Sequence, residues 1–471
     1  MKPIVRFAPS PTGELHLGGA RVALFNYLYA KKYQGEFLIR IEDTDLERSK
    51  EIYVDQICES LKWLGLKWDR DVFIQSQNNV RHKEIINRLL REGKAYKCFA
   101  SKEELEIIKK KTKSYSYTGI WRDRSKADIK EQEEKGCPFS VRLKTPLKGQ
   151  TNFLDKVYGN ISVNNSEIDD FILARSDKNN SPVYNLVVIV DDYDMKITHV
   201  IRGEDHISNT VKQILIIKAL GWAIPQYAHL PMILGPNGDR LSKRHGATGV
   251  QTYQNLGYQS QGLLNYLAFL GWNPATTEEL MSLDRLIKLF DLENVQKKGA
   301  IFDQKKLDWI SGQHLSKQSS LDIKESIKKI NSDWGKSCSN KFALSVIDLM
   351  KDRTNSLVQL IEDSSYFFDE RINYQIDIIN KIWKSDTAFM VDAYKSMILK
   401  TDLWDSGKIE LLTKKYMEEN NIGFGKLMKP IRYILCGILN GPPLYEIISL
   451  LGREIFKNRI ENALREINVK S

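Results

Sequence analysis

The sequence predicts an α/β fold: a parallel sheet that is interrupted by an α+β insertion and followed by an all-α C-terminal region. Strand-like and helix-like segments alternate over residues 1–94 and again over residues 183–240, which is typical of parallel strands joined by helical crossovers. Between these two parts, residues 95–182 break the alternation. Beyond residue 316 almost no strand pattern occurs, and amphipathic helices recur.

The elements of the predicted sheet follow from the apolar patterns. Short apolar or alternating runs predict strands at residues 3–8, Phe37–Glu42, Leu186–Val190, Ile197–Ile201 and Leu230–Leu234. Helical spacing of apolar residues, as at Leu17, Ala20 and Leu24, predicts the intervening helices. These span about His16–Tyr33, Glu51–Leu64, Val80–Arg91 and Ile207–Ala219.

The other segments complete a five-part division. The insertion has strand-like pieces at Ser140–Leu143 and Asn160–Val163, whereas the C-terminal region has helical patterns such as Phe342–Lys351 and Leu444–Leu451. We therefore expect a first sheet segment (1–94), an insertion (95–182), a second sheet segment (183–240), a helical part that begins with a basic loop (241–316) and a helical domain (317–471).

The composition is that of an ordinary folded protein from a reducing compartment. The 471 residues suffice for about three or four domains. No apolar run reaches the roughly 18 residues of a membrane span, and the N-terminus resembles neither a signal peptide nor an organelle presequence. The five cysteines include no Cys-x-x-Cys pair, which argues against a disulfide framework. We expect a cytoplasmic protein without a membrane partner.

The charge favours a polyanionic partner. Lys and Arg number 70 against 60 for Asp and Glu, which gives a net charge of +10. This excess is spread over the predicted domains and is not concentrated in a tail. Any nucleic acid would therefore lie along a folded surface.

A glycine-rich segment, Pro9–Gly19, lies where the first predicted strand ends and the first helix begins. Glycines there allow the backbone to approach a ligand, and the free N–H groups of a helix start attract anions. His16 could donate hydrogen bonds to phosphate oxygens as charge develops on them. The alternative is a glycine-rich helix entry that the histidine only caps.

A second glycine-rich segment, Gly235–Gly246, is strongly basic and follows the last predicted strand. Its cluster of Lys243, Arg244 and His245 could clamp a triphosphate. A basic loop alone is more often solvated surface. Because both glycine-rich segments end strands of one predicted sheet, the two together are more specific than either alone.

These motifs resemble those of the class I aminoacyl-tRNA synthetases. His16-Leu-Gly-Gly19 resembles the family's His-Ile-Gly-His motif, and Leu241-Ser-Lys-Arg244 resembles its Lys-Met-Ser-Lys-Ser motif. Gly19, Leu241 and Arg244 depart from those motifs in a way that is similar to the bacterial glutamyl-tRNA synthetases. Further matching segments are Arg6–Gly13, Arg40–Asp45, Pro182–Asn185, Val190–Asp192, His199–His206 and Gly441–Glu446. The likeness is strong over about residues 1–315 and weaker beyond.

The resemblance implies a fold and a reaction. It implies a Rossmann-like catalytic domain, an insertion that binds the acceptor end of tRNA, a stem-contact helical domain and a helical anticodon-binding domain. The implied enzyme is a glutamate–tRNA ligase: ATP activates L-glutamate as glutamyl-adenylate, and glutamate is then transferred to the 3′ end of tRNA-Glu. tRNA-Gln is a second candidate acceptor. Relatives activate glutamate only with tRNA bound, and Mg²⁺ would enter with ATP.

The resemblance also implies the site residues. Those for glutamate are Arg6, Ala8, Ser10, Glu42, Tyr184 and Arg202. Those for ATP are His16, Gly18, Asp205, His206, Leu234 and Lys243, within or near the motif regions Pro9–Gly19 and Arg240–Arg244. His16 and Lys243 are the expected catalytic residues. The chemistry agrees, because the carboxylates of glutamate require cations and its ammonium requires an anion. A structural ion pair is the alternative for each arginine.

We expect no zinc and no other bound metal. Some bacterial relatives hold zinc in the inserted domain through a Cys-x-Cys and a later Cys-x-His. Here Cys98 is followed by Ala100 in place of a second cysteine, and residues 118–124 contain neither Cys nor His. A lone cysteine cannot supply a tetrahedral site. The expected partners are tRNA, L-glutamate and ATP with Mg²⁺, bound by a monomer.

Other functions stay open at this point. A shortened enzyme that glutamylates a tRNA base would lack the region after residue 316, and a glutaminyl-specific enzyme would end in β-barrels. A small-molecule nucleotidylyltransferase would not need the helical tail. A catalytically inactive tRNA-binding paralogue is the main alternative, against which the intact Arg6, Arg202 and Lys243 argue.

Overall fold

The chain folds as two compact units. The computed structural model describes residues 2–44, 49–112, 117, 119–242 and 249–470. The first unit comprises residues 1–252 with 263–304, and the second comprises residues 253–262 with 305–471. Lys243, Arg244 and His245 lie outside the described residues, as does Asp45.

The strands lie in the first unit. They are β1 (Ile4–Phe7), β2 (Glu36–Ile41), β3 (Phe73–Ile74), β4 (Ala95–Cys98), β5 (Ser140–Leu143), β6 (Gln150–Asp155), β7 (Gly159–Asn164), β8 (Ile172–Ala174), β9 (His199–Gly203), β10 (Gln226–Leu230), β11 (Ile233–Leu234) and β12 (Ala300–Ile301). The helices up to residue 303 are α1 (Leu17–Lys32), α2 (Glu51–Trp63), α3 (Asn79–Arg91), α4 (Lys102–Thr112), α5 (Lys126–Glu134), α6 (Tyr184–Asp194), α7 (Ile207–Leu220), α8 (Val250–Asn255), α9 (Ser260–Phe269) and α10 (Leu283–Leu289).

Parallel pairing dominates the centre of the first unit, as the alternation predicts. β1, β2 and β3 pair in parallel, and so do β9, β10 and β6, with β7 antiparallel to β6. β1 lies beside β9, because the N–H of Thr198 donates to the carbonyl of Ile4 at 2.9 Å. The predicted α/β fold with a parallel sheet is therefore confirmed.

The predicted insertion contains a separate antiparallel sheet. β4, β5 and β8 pair in the order β4-β5-β8, away from the parallel strands. The hairpin of β6 and β7 behaves differently, since β6 pairs with β10. Strands from the middle of the chain thus extend the sheet that carries β9.

The strand predicted at Leu186–Val190 is wrong, because these residues lie in helix α6. Residues 186–192 of α6 are all buried, so the helix is enclosed on every side. A short, continuous apolar run is compatible with a buried strand or a buried helix, and periodicity alone does not separate the two. As a helix, this segment places Tyr184 at its start and Asp192 near its end.

The strand predicted at Leu230–Leu234 is interrupted. β10 ends at Leu230 and β11 begins at Ile233, with Pro231 between them. Proline has no N–H to donate to a neighbouring strand, which accounts for the break. β11 then pairs in parallel with β12.

The second unit is helical. Besides the end of α8 and the start of α9, it contains α11 (Gln304–Ser316), whose first residue still belongs to the first unit. The helices that follow are α12 (Ser320–Ile330), α13 (Asn340–Met350), α14 (Leu357–Asp363), α15 (Ile376–Ile382), α16 (Thr387–Leu399), α17 (Ser406–Glu419), α18 (Phe424–Cys436) and α19 (Leu444–Lys470, interrupted at Gly452). One apolar cluster, running in sequence from Leu315 to Ile467, forms its core. This organisation agrees with the predicted all-α C-terminal region. None of the described helices is long and apolar enough to cross a bilayer.

Candidate active site

A cavity of about 690 Å³ lies at the carboxyl ends of β1 and β9. Its walls come from the segment between β1 and α1, the start of α1, the end of β9 and the connection from β10 to β11. Many of the predicted site residues line it: Arg6, Ala8, Ser10, His16, Gly18, Glu42, Tyr184, Arg202, Asp205 and His206. Ligands of open α/β sheets bind outside the carboxyl ends of the strands, so this cavity is the candidate active site.

Two predicted site residues are not among those that line the cavity. Leu234 lies on β11 beside Ile233, which does line it, and the carbonyl of Leu234 accepts from the N–H of Phe302 at 2.8 Å. Lys243 lies outside the described residues. Ser242, the residue before it, lines the cavity.

Two arginines and two acids form a buried chain of ion pairs at the cavity. Nε of Arg6 donates to Oδ1 of Asp192 at 3.0 Å, and Nη1 of Arg40 donates to the same oxygen at 2.5 Å. Nη2 of Arg40 also donates to Oε1 of Glu42 at 3.0 Å. The positive and negative charges balance, which makes their burial tolerable.

The two acids of this chain differ in their electrostatics. Burial alone would raise the pKa of Asp192, but the charges of Arg40 and Arg6 outweigh it and lower that pKa to about 2. At Glu42 burial prevails over Arg40, so its pKa is raised. Only Oε1 of Glu42 is engaged among the described residues, which leaves Oε2 for a cationic group of a ligand.

Arg202 is a buried cation held by neutral groups. Its guanidinium donates to Oγ1 of Thr210 at 2.6 Å and to Oε1 of Gln213 at 2.8 Å. Its Nε donates to Nε2 of His229 at 3.3 Å. No carboxylate of the described residues pairs with it, and burial lowers its pKa. Among the described residues, the positive charge of Arg202 is therefore not neutralised by a direct ion pair, and the side chain lines the cavity where an anion can bind.

His16 caps helix α1 through Nδ1 of its ring, so Nε2 takes no part in the cap. Its Nδ1 accepts a hydrogen bond from the N–H of Gly19 at 3.0 Å. Burial and the charge of Arg240 lower the pKa of His16, so the ring is neutral near pH 7. A neutral ring that accepts at Nδ1 carries its proton on Nε2. The capping interpretation is thus right about Nδ1, while the Nε2–H group can still donate.

Two glycines beside the cavity leave little room for a side chain in the present positions of their neighbours. A Cβ on Gly18 would lie 3.1 Å from Nδ1 of His16, so a side chain there would press on the ring. A Cβ on Gly203 would lie 2.5 Å from Oδ1 of Asp205. A substitution at either glycine would therefore require His16 or Asp205 to shift.

Tyr184 and His206 interact directly at the cavity. The hydroxyl of Tyr184 lies 3.1 Å from Nδ1 of His206. Burial, assisted by Glu42, raises the pKa of Tyr184 to about 12, and burial with Arg202 lowers the pKa of His206 to about 4. At neutral pH the tyrosine is protonated and the histidine is neutral, so the two side chains share a hydrogen bond between uncharged groups.

The basic segment is held at both of its described ends. Before it, the N–H of Leu241 donates to the carbonyl of Ile233 at 3.0 Å. After it, Gly249 pairs with His16, and the N–H of Val250 donates to the carbonyl of Leu15 at 2.9 Å. At both ends, the segment is therefore hydrogen-bonded to residues that line the cavity: Ile233 at the first end, and Leu15 and His16 at the second.

Two family models match successive parts of the chain. Residues 3–309 match the catalytic domain of "tRNA synthetases class I (E and Q)", and residues 314–464 match "Anticodon binding domain". The chain belongs to the class I tRNA synthetases. The resemblance drawn from the two motifs is confirmed.

Individual relatives match this class I synthetase over its whole length. It is 40% identical to glutamate–tRNA ligase 2 of Caldicellulosiruptor saccharolyticus, over 99% of each chain. It is also 40% identical to glutamate–tRNA ligase 2 of Thermoanaerobacter pseudethanolicus, over 98% of this chain and 97% of that protein. The crystal structure of a glutamate tRNA ligase from Elizabethkingia meningosepticum, in complex with its amino acid, matches with a TM-score of 0.88 at 33% identity, over 99% of each chain.

Sequence reasoning missed several residues that shape the site of this synthetase. Arg40 and Asp192 lie within matched motif segments, but nothing local indicates that they pair across 152 positions. Arg21 follows the first motif, lines the cavity and donates to the carbonyls of Leu270 (3.0 Å) and Pro231. It thereby ties α1 to the connection between β10 and β11.

The surroundings of Cys98 bear on the zinc prediction. The thiol of Cys98 is buried, and its Sγ lies 3.3 Å from the hydroxyl of Tyr117. Within the described parts of the chain, no three His, Cys, Asp or Glu residues are grouped so that they could hold a metal ion. The absence of zinc stays a prediction.

Proposed function

We propose that this synthetase is a glutamate–tRNA ligase, which uses ATP to activate L-glutamate and joins it to the 3′ end of tRNA-Glu. One observation carries the proposal. Among the residues that the structure describes, the cavity combines Arg202, a buried cation with no acid in direct contact, and Glu42, a carboxylate with one oxygen that makes no hydrogen bond. Free glutamate has two carboxylates and one ammonium, so it requires both kinds of charge in one pocket.

The proposed roles at glutamate follow from charge. Arg202 and the remaining Nη1 of Arg6 bind carboxylates, and Glu42 with Ser10 binds the ammonium. Tyr184 closes the pocket with its hydroxyl. Ala8 completes it, since its small side chain leaves room for the substrate backbone.

The proposed roles at ATP concern the phosphates. His16 donates from Nε2, and Lys243 supplies a positive charge; Gly18, Asp205, His206 and Leu234 complete the nucleotide site. An oxygen of the glutamate α-carboxylate bonds to the α-phosphorus, and the bond from that phosphorus to the β-phosphate oxygen breaks. Diphosphate leaves with the bonding electrons. Catalysis consists of positioning and of stabilising the charge that develops on the leaving group. Mg²⁺ enters as the counter-ion of ATP.

The second step transfers glutamate to tRNA. The 3′-terminal ribose hydroxyl attacks the carbonyl carbon of the adenylate, and the bond from that carbon to the bridging phosphate oxygen breaks. AMP leaves with the bonding electrons, and its phosphate takes up the proton of the attacking hydroxyl. The net charge of +10 supports contact with a polyanion. We place the reaction in the cytoplasm, with a monomeric enzyme, five domains bounded as the sequence predicts, and tRNA-Gln as a second candidate acceptor.

ATP–diphosphate exchange tests the proposed function. We expect exchange that depends on L-glutamate and on tRNA-Glu, with no exchange when L-glutamine replaces glutamate. Charging of purified tRNA-Glu and tRNA-Gln with labelled glutamate then defines the acceptor. Binding of tRNA without any exchange or charging would instead identify an inactive tRNA-binding paralogue.

The first prediction concerns Arg202→Gln. The neutral amide removes a charge-assisted contact with a carboxylate, so the KM for glutamate should rise at least about tenfold while the KM for ATP stays nearly unchanged. Steady-state exchange at varied glutamate and varied ATP measures both constants. Equal increases in the two would show that Arg202 only holds the structure.

The second prediction separates the two nitrogens of His16. Asparagine is a good N-cap whereas alanine is not, so His16→Ala should lower the free energy of unfolding by about 1 kcal/mol and His16→Asn by much less. Both variants lack the Nε2–H donor, so both should activate glutamate roughly tenfold more slowly. Chemical unfolding and exchange rates measure the two effects. Full activity of His16→Asn would restrict the role of His16 to capping.

A further inference from the structure

A chain of buried hydrogen bonds reaches Arg202 from the side of β6. Oδ2 of Asp155 lies 2.6 Å from Nδ1 of His229, and Nε2 of His229 accepts from Nε of Arg202 at 3.3 Å. Asp155 ends β6, whereas His229 and Arg202 are paired neighbours on β10 and β9. The exposed fractions of Asp155 and His229 are 1% and 0%. The pairing of β6, β10 and β9 therefore fixes the relative positions of Asp155, His229 and Arg202.

The hydrogen bonds define the tautomer of His229. Asp155 accepts a hydrogen bond from Nδ1, so the ring proton is on Nδ1, and the lone pair of Nε2 faces Arg202 and the hydroxyl of Thr210, 2.9 Å away. Burial lowers the pKa of His229 and outweighs the opposing effect of Asp155, in accord with a neutral ring. A protonated ring would instead direct an N–H group and a second positive charge at Arg202.

The contrast with Arg6 shows what a neutral acceptor achieves. Arg6 is paired with a carboxylate, Asp192, which offsets its charge. Arg202 is instead held by Thr210, Gln213 and His229, none of which carries a negative charge.

We propose that Asp155 and His229 are positioning residues for the amino-acid substrate. Asp155 fixes the tautomer of His229, and His229 then orients Arg202 through a neutral acceptor, so that the charge of Arg202 is kept for a substrate carboxylate. This inference rests on the proposed function and deepens it. Neither residue touches the substrate; both act through Arg202.

Two substitutions of His229 separate its hydrogen bond at Nδ1 from those at Nε2, where Oγ1 of Thr210 (2.9 Å) lies beside Nε of Arg202 (3.3 Å). The amide of glutamine lies near the position of Nε2, so His229→Gln retains an acceptor for Arg202. The amide of asparagine lies near Nδ1, so His229→Asn retains the bond to Asp155 and loses the acceptor. We expect the KM for glutamate to rise about tenfold in His229→Asn and less than about threefold in His229→Gln. The KM for ATP should be unchanged in both.

Asp155→Asn tests the tautomer without altering the ring. Oδ1 of Asp155 accepts from the N–H groups of Val157 and Tyr158, each at 2.9 Å. The amide oxygen of asparagine should keep those two bonds, which turns its NH₂ group toward Nδ1 of His229. The ring proton must then move to Nε2, where it can point to Oγ1 of Thr210 (2.9 Å) and no longer leaves a lone pair for Nε of Arg202 (3.3 Å). We expect the KM for glutamate to rise about tenfold, as in His229→Asn.

His199→Asn is a matched control. His199 lies on β9, like Arg202, and is 9% exposed. Its Nδ1 lies 2.8 Å from Oγ1 of Thr198, and it makes no hydrogen bond with Arg202. This variant should leave both KM values unchanged. Thermal unfolding of every variant reports the general effect of altering a buried histidine.

The tRNA-dependent exchange assay decides between the outcomes. A rise in the KM for glutamate alone, larger in His229→Asn and Asp155→Asn than in His229→Gln, supports the positioning role. Equal KM values for the two His229 variants, or parallel increases for ATP, overturn it. If His229→Asn does not fold, the contrast between Asp155→Asn and His229→Gln decides. A wild-type enzyme without glutamate-dependent exchange would overturn the proposed function itself, whatever the variants do.

Discussion

Replacing Lys243 with alanine should lower the rate of glutamate activation about a hundredfold and change the KM for glutamate little. Negative charge grows on the diphosphate as it leaves, so an ammonium directed at it is worth more in the transition state than in the ground state. Removing such a donor typically costs about 3 kcal/mol of activation free energy. The preceding residue, Ser242, lines the cavity, and Gly249 pairs with His16, which supports this role for Lys243.

Pre-steady-state formation of glutamyl-adenylate in the presence of tRNA-Glu measures this rate. Lys298→Ala is the control, because Lys298 is an exposed lysine of the same unit that does not line the cavity. It removes the same charge from the protein and should leave the rate unchanged. An unaltered rate in a folded Lys243→Ala protein would remove Lys243 from the catalytic assignment.

The architecture and the location of the site could be predicted because they depend on local patterns. Alternating strands and helices dictate a parallel sheet, and the first glycine-rich motif follows β1, whose carboxyl end borders the cavity. The expectation that the second motif follows a strand of the same sheet is wrong, because it follows β11, which pairs with β12 in a separate sheet. Arg6, Glu42 and Arg202 could be proposed from the charges of the substrate and the resemblance. The helix that begins at Tyr184 could not be predicted, since its apolar run is compatible with a buried strand as well as with a buried helix.

The partners of the charged residues depend on tertiary structure, so no local pattern indicates them. Asp192 meets Arg6 across 186 positions, and Asp155 meets His229 across 74. These contacts decide whether the charge of an arginine is offset by a neighbouring carboxylate. The sequence left a structural ion pair as the alternative for both Arg6 and Arg202, and it is present only at Arg6 among the described residues.

The division into units also depends on distant contacts. Residues 253–262 belong to the helical second unit, although they precede residues 263–304 of the first unit in the sequence. The N–H of Leu357 donates to the carbonyl of Gly257 at 2.9 Å, and Gln318 donates to Gln259 at 2.6 Å. The amino-acid composition does not change at residues 253–262, so the sequence does not reveal that they pack with the second unit.

Asp192→Asn should destabilise the first unit by about 3 to 5 kcal/mol. The substitution removes the carboxylate that Arg6 and Arg40 share, and it leaves buried guanidinium groups with too little negative charge. Glu42 still pairs with Arg40, so Arg6 is the cation left without compensation. Urea titration monitored by hydrogen–deuterium exchange of peptides from β1 and β9 measures the change in the unit concerned.

The dependence of this effect on pH follows from the lowered pKa of Asp192. A carboxyl group whose pKa falls to about 2 on folding contributes stability that is fully present above its ordinary pKa near 4 and is lost as the pH falls toward 2. The stability difference between wild type and Asp192→Asn should therefore be constant above about pH 5 and shrink between pH 4 and pH 2. Glu36→Gln is the control: it breaks the half-exposed pair with Arg70 (2.6 Å) and should change stability by less than about 1 kcal/mol. A loss of that small size in Asp192→Asn, or a difference from wild type that does not vary with pH, would mean that the shared carboxylate does not neutralise the two arginines.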